Sequence, residues 1–524
     1  MAQTATFKMK ECMKFFYFPA DEDDKWGCKQ CGKKFTCKNG WSNLQGHLNN
    51  KHSPKWKEEY STALKSNVNL EAYGFINKKT TDMFKWMQWI ITRNRPLCDI
   101  EDPTTRSVVT MQPFSVNTLK KYMEKVAVEV ELKIAAELPE KFGITFDGWS
   151  KFTYHYLGLF AVYECGPVVK VVLLGISPPE NEEHLDTREH VTFLENTLHF
   201  YGKNLDNVLF FVADNCSVNK SISTTTGIPM IGCYSHKFNL AVKLYIEEDH
   251  IAADIQVVHD LMKALKTLKN SGKMRRLGME STVIENETRW SSTYNMLARY
   301  FKLHKRIEEN WDDEILGKMP TRIQYNHLEQ ITTMMVNLNA ITKQLQKADL
   351  TMAEGRGLFQ LAIEFVPIME TYLGIDADIV LDEDLENAIV KILEEKEDQL
   401  TPLELIAVER FLLPVPASST GGSALPPEIS DGLDIAERFL KKRRTDAKAP
   451  TKYVNLKIVL PTSNVVERLF SCAKLILTDL RASLSPKNFE MLIFLKVNME
   501  FWNIQTVHKA MNSPSEGLAA REHE

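Results

Sequence analysis

Apolar residues recur along this chain at two different periods, and the change of period marks its organisation. In "TDMFKWMQWII" and "SVNTLKKYMEKVAVEVELKIAAEL" they fall three and four residues apart, which predicts helices within residues 61–135. From about residue 142 the pattern changes to short apolar runs, "GITFD", "YLGLFAVYE" and "VVKVVLLGI". A helical "REHVTFLENTLHFYG" follows, then "NVLFFVAD", a polar helix and "PMIGC". Three strands, helix, strand, helix, strand predicts one α/β layer with antiparallel and then parallel pairing. Helical spacing dominates about 300–410. The stretch "PVPASSTGGSALPP" (414–427) reads as a flexible loop, because Pro, Gly and Ser cannot build a packed core. The expected fold class is multidomain, α/β plus α.

Composition narrows the class. With 524 residues, 44% hydrophobic and 25% charged, the chain is long enough for several cores. Its strongest apolar run, 168–176, is too short for a membrane span, and no charged-then-apolar leader opens the sequence, so neither a membrane partner nor secretion is expected. Nine cysteines, odd in number and including one CxxC, point to reduced thiols and metal binding in cytosol or nucleus. The net charge of −5 argues against uniform coating of nucleic acid. Its distribution says more: Lys25 to Lys57 holds eight lysines and no acid, whereas 375–399 is strongly acidic, so one end can face phosphate while the middle repels it.

The lysine-rich end carries a metal-ligand pattern. In "CKQCGKKFTCKNGWSNLQGHLNNKH", two residues stand between Cys28 and Cys31 and four between His47 and His52, a set able to close a tetrahedral Zn²⁺ site. Phe16, Phe18 and Trp26 precede it and could pack a core too small to fold without the metal. The pattern resembles a BED-type zinc finger. That resemblance implies double-stranded DNA as a partner, with Lys33, Lys34 and Lys38 on phosphates and the start of the helix leading to His47 near base edges.

A second constellation involves acids at the ends of apolar runs. Asp147 closes "GITFD" and Asp214 closes "NVLFFVAD"; each alone reads equally as a helix or turn cap or as a ligand, since Mg²⁺ sites use one or two carboxylates plus substrate phosphate oxygens. Glu467 lies beside the apolar stripe Val466, Phe470, Ala473 and Leu477, and from its helix alone a solvated glutamate next to Arg468 is the better reading.

The blocks "ITFDGWS", "VADNCSVN", "CYSH", "ETRWSSTYNML" and "SNVVERLFSCAKLILTDLRASLSPKNFEMLIFL", in this order behind the finger, resemble the hAT superfamily of DDE transposases from about residue 12 to 502. The resemblance implies an RNase H-like core interrupted by a helical insertion, and Asp147, Asp214 and Glu467 as a catalytic triad for Mg²⁺ or Mn²⁺. It also implies His236 near the scissile phosphate and Trp290 stacked on a flipped base; a helix-start histidine and a core tryptophan are the plain readings of the same residues. The division it suggests is 10–60 zinc finger, 61–135 helical connector or DNA-binding region, 136–300 first part of the core, 301–450 helical insertion, and 451–505 C-terminal dimerisation region completing the core. Phe489, Met491, Leu492, Ile493, Phe494, Leu495, Val497, Phe501 and Trp502 are apolar around more than one helical face. Either a partner chain covers one face, giving a homo-oligomer of at least two chains, or the segment is buried within the monomer. A nuclear location follows from the DNA partner. The insertion is short and lacks an Asp-Pro-Arg segment, so two functions stay open: a cutting and joining transposase, or a non-enzymatic dimeric DNA-binding regulator on the same scaffold.

Overall fold

The computed structural model describes residues 13–14, 16–19, 25–36, 40–52, 56, 76–285, 290–413 and 452–513. Lys38 and the loop 414–427 lie outside them. The chain gathers into two compact units, residues 1–130 with 498–524, and residues 131–497.

The first unit contains the finger, in which β1 (Tyr17–Pro19), β2 (Lys25–Cys28) and β3 (Lys34–Thr36) form an antiparallel sheet followed by helix α1 (Ser42–His47). Its core is Met13, Phe16, Tyr17, Cys28, Leu44, Leu48 and Trp56, with Trp26 packed at the margin. Two of the three aromatic residues expected in this core contribute to it; Phe18 is 42% exposed, because β1 is short and alternation turns it to the opposite face from Tyr17. Tyr17 takes that place, its hydroxyl donating to the Leu44 carbonyl at 2.7 Å.

Farther along, α2 (Lys78–Thr92) buries Met83, Trp86, Met87, Ile90 and Ile91 at helical spacing, and Asn77 caps its start by accepting from the Thr80 amide at 2.7 Å. Helix α3 (Val116–Glu137) follows. The two periodic stretches of 61–135 are thus helices.

In the second unit a five-stranded sheet runs in the order β6-β5-β4-β7-β8, with β4 (Phe142–Lys151), β5 (Tyr154–Cys165), β6 (Val168–Ser177), β7 (Val208–Ala213) and β8 (Met230–Gly232). The β4–β5 and β5–β6 pairs are antiparallel, and β4–β7 and β7–β8 are parallel. Helix α4 (Thr187–Phe200) connects β6 to β7 and α5 (Ser217–Thr226) connects β7 to β8. β7 is buried at every position, as a central strand between covered faces must be. β4 is continuously buried from Phe142 to Phe146, and from Asp147 onward burial alternates, so Asp147 stands where the strand leaves the core.

After β8 come α6 (Tyr234–Ile246), α7 (Asp249–Leu265), α8 (Ser291–Asn310), α9 (Arg322–Leu345), α10 (Met352–Phe365) and α11 (Glu383–Leu393). One hydrophobic core runs from Leu209, Phe210 and Val212 of the sheet through Phe238, Leu261, Leu297 and Leu338 of these helices. A buried ion pair locks α6 to α11, with Lys237 Nζ 2.7 Å from Glu386 Oε1, Tyr234 donating to Glu386 at 3.1 Å and Arg356 of α10 at 3.4 Å. Such a network costs desolvation, and Arg356 Nε is left without a partner among the described residues; the bonds it does make fix how α6 sits.

The chain then returns as α12 (Asn464–Ile476), which lies across β4 and β5, and α13 (Pro486–Val497), which packs on β6. Phe489, Met491, Leu492, Ile493, Phe494 and Leu495 are all buried within this chain, as are Phe501 and Trp502 in the first unit. The apolar excess that suggested a partner chain is therefore covered without one, and the burial gives no support to dimerisation.

Close approach of α12 depends on Gly158 of β5, the register partner of Asp147: a Cβ there would lie 2.8 Å from Leu469 Cδ2 and 3.3 Å from Val466 Cγ1. Phe470 of the same helix stacks on Trp149 at 5.7 Å. Gly158→Val overpacks this contact and lowers the stability of the second unit by about 1–3 kcal/mol. Thermal denaturation checks this, and a variant as stable as the parent would contradict the tight seat of α12.

Candidate metal centres and nucleic-acid interface

The four zinc ligands come together. Cys28 ends β2, Cys31 follows in the turn, and His47 ends α1. Cys28 Sγ lies 3.3 Å from His52 Nε2, Cys31 Sγ 3.2 Å from His47 Nε2, and the two Nε2 atoms are 3.0 Å apart. All four donor atoms fall within 4.8 Å of one another, the only set of three or more potential ligands so grouped among the described residues. In an α-helix, residues five apart point about 140° away from each other. The chain solves this by continuing α1 into a π-type turn, Leu48–His52, whose longer repeat brings His52 back beside His47. Burial, then His52, Lys33 and Lys51, lowers the His47 pKa, which favours the neutral imidazole that binds metal. Lys33 and Lys34 are exposed at the start of β3, and Ser42 and Asn43 are exposed at the start of α1, so all four are accessible to a nucleic-acid partner.

In the second unit Asp147, Asp214 and Glu467 line one cavity of about 350 Å³, although 320 residues of sequence separate the first from the last. Asp147 comes from the end of the buried half of β4, Asp214 from the residue after β7, and Glu467 from the first turn of α12. Asp214 is not a helix cap, for α5 begins at Ser217. Its Oδ1 accepts from Asn219 Nδ2 at 2.6 Å and from the Cys216 amide at 3.3 Å, so the helix start orients the carboxylate. Asp147 Oδ1 accepts from the Gly148 amide at 2.8 Å. Burial, and after it the charge of Asp214, pushes the Asp147 pKa up to about 7; the Gly148 amide opposes the shift and Glu467 adds to it. The three carboxylates are spread more widely than the zinc ligands, since they form no set of oxygens within 4.8 Å of one another. Their spread and mutual repulsion suit a pair of divalent ions, or an ion sharing phosphate oxygens, better than a single closed cage.

Cys233, His236 and Trp290 line the same cavity. Cys233 is buried, its amide donating to Ala213 O at 2.8 Å and its Sγ accepting from the Ser463 amide at 3.3 Å. It thereby ties the end of β7 and the start of α6 to the start of α12. His236 lies in the first turn of α6, the plain reading of it, and lines the acids' cavity. Trp290 is 4% exposed, part of the hydrophobic core, and forms a wall of this cavity and of a second one of about 560 Å³ bounded by His259, Glu285 and Thr293. Asn464 donates from Nδ2 to the Leu345 carbonyl at 2.9 Å, joining α12 to the end of α9.

Sequence reasoning missed much of the polar lining, including Ser235 and Asn239 of α6, Asn339, Thr342 and Lys343 of α9, and Gln346 just beyond it. Positions 339, 343 and 346 have the spacing of one helical face, but a polar helical face reads the same whether it meets water or a cavity.

Residues 11–53 match the family model described as BED zinc finger. No curated protein matches the chain. The match and the ligand geometry together identify a zinc-binding, DNA-binding module at the N-terminal end. Among the described residues no helix is long and apolar enough to cross a membrane.

Asp147 offers a direct electrostatic test. Its carboxyl titrates near 7 in the folded chain and near 4 when unfolded, so stability is full below pH 4, is lost as the pH rises through 7, and stays lost above it. In magnesium-free buffer at pH 8, Asp147→Asn stabilises the second unit by on the order of 2 kcal/mol, about half the linkage limit. The gain shrinks as the pH is lowered from 7 towards 5. Melting curves of both proteins across this range check it; an Asn variant less stable than its parent at pH 8 contradicts the repulsion.

Proposed function

We propose that this protein is a DNA-binding transposase of the hAT type, or a descendant of one, with an RNase H-like core that cuts phosphodiester bonds using divalent metal. The observation that carries the reading is the meeting of Asp147, Asp214 and Glu467 in one cavity. The strand order β6-β5-β4-β7-β8, antiparallel on one side of β4 and parallel on the other, supports an RNase H-like core. The interruption between β8 and α12 supports a helical insertion before the last acid.

When bound, Mg²⁺ or Mn²⁺ supplies Lewis acidity toward both the attacking and the leaving oxygen of the phosphodiester. The chain's own groups do the rest. Asp147, Asp214 and Glu467 supply the anionic oxygens that hold the metal, and Asp147, charged only above about pH 7 in the metal-free chain, releases a proton when it becomes a ligand. His236 faces the cavity, where its imidazole can donate to a phosphate oxygen or take a proton from the attacking hydroxyl. Trp290 offers an indole face to a base turned out of the duplex, on a wall too well packed to move far. The zinc finger brings DNA to this core, and its substrate implies a nuclear location.

A DNA-binding regulator without cleavage is the second reading. The observation that favours it is that the family match falls on the finger, residues 11–53, a DNA-binding module that needs no cleavage to act. Incubation of supercoiled plasmid with the full chain and Mn²⁺ separates the two. The transposase reading expects nicked circles, and a fall of at least about 100-fold in nicking for Asp214→Asn and for Glu467→Gln, as large as the greatest losses seen when groups behind a metal's ligands are removed. No nicking by the parent, or nicking unchanged in both variants, rejects cleavage by these acids.

A further inference from the structure

The acids' cavity has two chemically different walls. One bears Asp147, Asp214 and Glu467; the other, from α9 and α6, bears Lys343, Asn339, Gln346, Asn239 and Ser235, and no carboxylate. A nucleic-acid strand is a polyanion, so three carboxylates repel it wherever metal does not intervene, and entry requires donors on the facing wall. Lys343 supplies a cation with three donors, and the three amides supply neutral ones that bind phosphate oxygens without competing for metal. Ser235 Oγ adds an independent sign that this wall awaits a ligand, since it is buried and has no hydrogen-bond partner among the described residues.

The wall is held in place. Asn339 is partly buried, Leu345 is 1% exposed, and the Leu345 carbonyl accepts from Asn464 three residues before Glu467. Thus the bond that fixes the end of α9 also fixes the start of the helix bearing the third acid. Lys343 and Gln346 project from this fixed end and are exposed, so they can move to meet a strand. Lys343 also sits in the last turn of α9, where a cation stabilises the helix dipole, and that plainer role makes a different prediction.

We infer that the wall formed by Asn339, Lys343 and Gln346 is the strand-binding side of the site, with Lys343 engaging a backbone phosphate of the nucleic-acid strand that enters between it and the carboxylates. This rests on the proposed nucleic-acid chemistry of the cavity but not on turnover. Lys343 is accordingly a positioning residue.

The test uses full-length protein in an Asp147→Asn background, where no cleavage is expected, and a duplex oligonucleotide with a single-stranded flap. Affinity is measured against salt. Lys343→Ala is expected to weaken binding several-fold and to make the slope of log affinity against log salt shallower by about 0.7–0.9, the release from one phosphate contact. Lys343→Arg is expected to restore both, with melting temperature unchanged throughout. Lys33→Ala, on the finger, should lower the slope by a similar amount whether or not Lys343 is present, as independent contacts do. An unchanged slope and affinity in Lys343→Ala, a change that Arg does not restore, or a fall in melting temperature in place of the binding change overturns the inference. Absence of nicking by the parent protein would defeat the transposase reading while leaving this binding comparison decisive.

Discussion

Three carboxylates held together at one end of the sheet's central strands repel one another, and the second unit is arranged around keeping them there. In the fold, burial and then the charges of Asp214 and Glu467 hold the Asp147 carboxyl near pKa 7. Packing holds the helix that carries Glu467 in place. Gly158 removes the side chain that would lift α12 off β5, Phe470 stacks on Trp149, and Asn464 and Cys233 bond the start of α12 to α9 and α6. Hydrophobic contacts thus hold a charge arrangement that is unfavourable without a cation, a pattern expected of a site selected for binding rather than for stability.

The helices between β8 and α12 share a continuous core with the sheet and contribute the cavity's far wall. Their anchor is the buried Lys237–Glu386 pair, with Tyr234 and Arg356 completing it. Burial lowers the Lys237 pKa and Glu386 opposes that shift, so the pair holds α6 in one orientation at an electrostatic cost. That orientation places Ser235, His236 and Asn239 in the lining of the acids' cavity. These helices supply one side of the cavity.

Much of this was legible in the residues. The ligands Cys28, Cys31, His47 and His52 follow from spacing alone, because a tetrahedral ion constrains a short chain tightly. Strands and helices of the second unit follow from the change of apolar period at residue 142. The spatial meeting of Asp147 with Glu467 did not follow from local pattern, since Glu467 lies beside its helix's apolar stripe and the seat of that helix on the sheet, close against Gly158, is a tertiary feature. Nor did the role of Lys343, whose helical face looks like any solvated one. Phe494 and its neighbours were legible only in part: apolar residues around a whole helix signal burial, and the pattern cannot distinguish the same chain from another as the partner.

The central claim is that Asp147, Asp214 and Glu467 form one divalent-cation site, and the most direct measurement is anomalous diffraction at the manganese edge from crystals of the full chain soaked with Mn²⁺. The account expects anomalous density in the cavity, in contact with carboxylate oxygens of all three residues and lost in Asp147→Asn crystals. Density absent from the cavity, or found with Glu467 turned away to solvent, would contradict it.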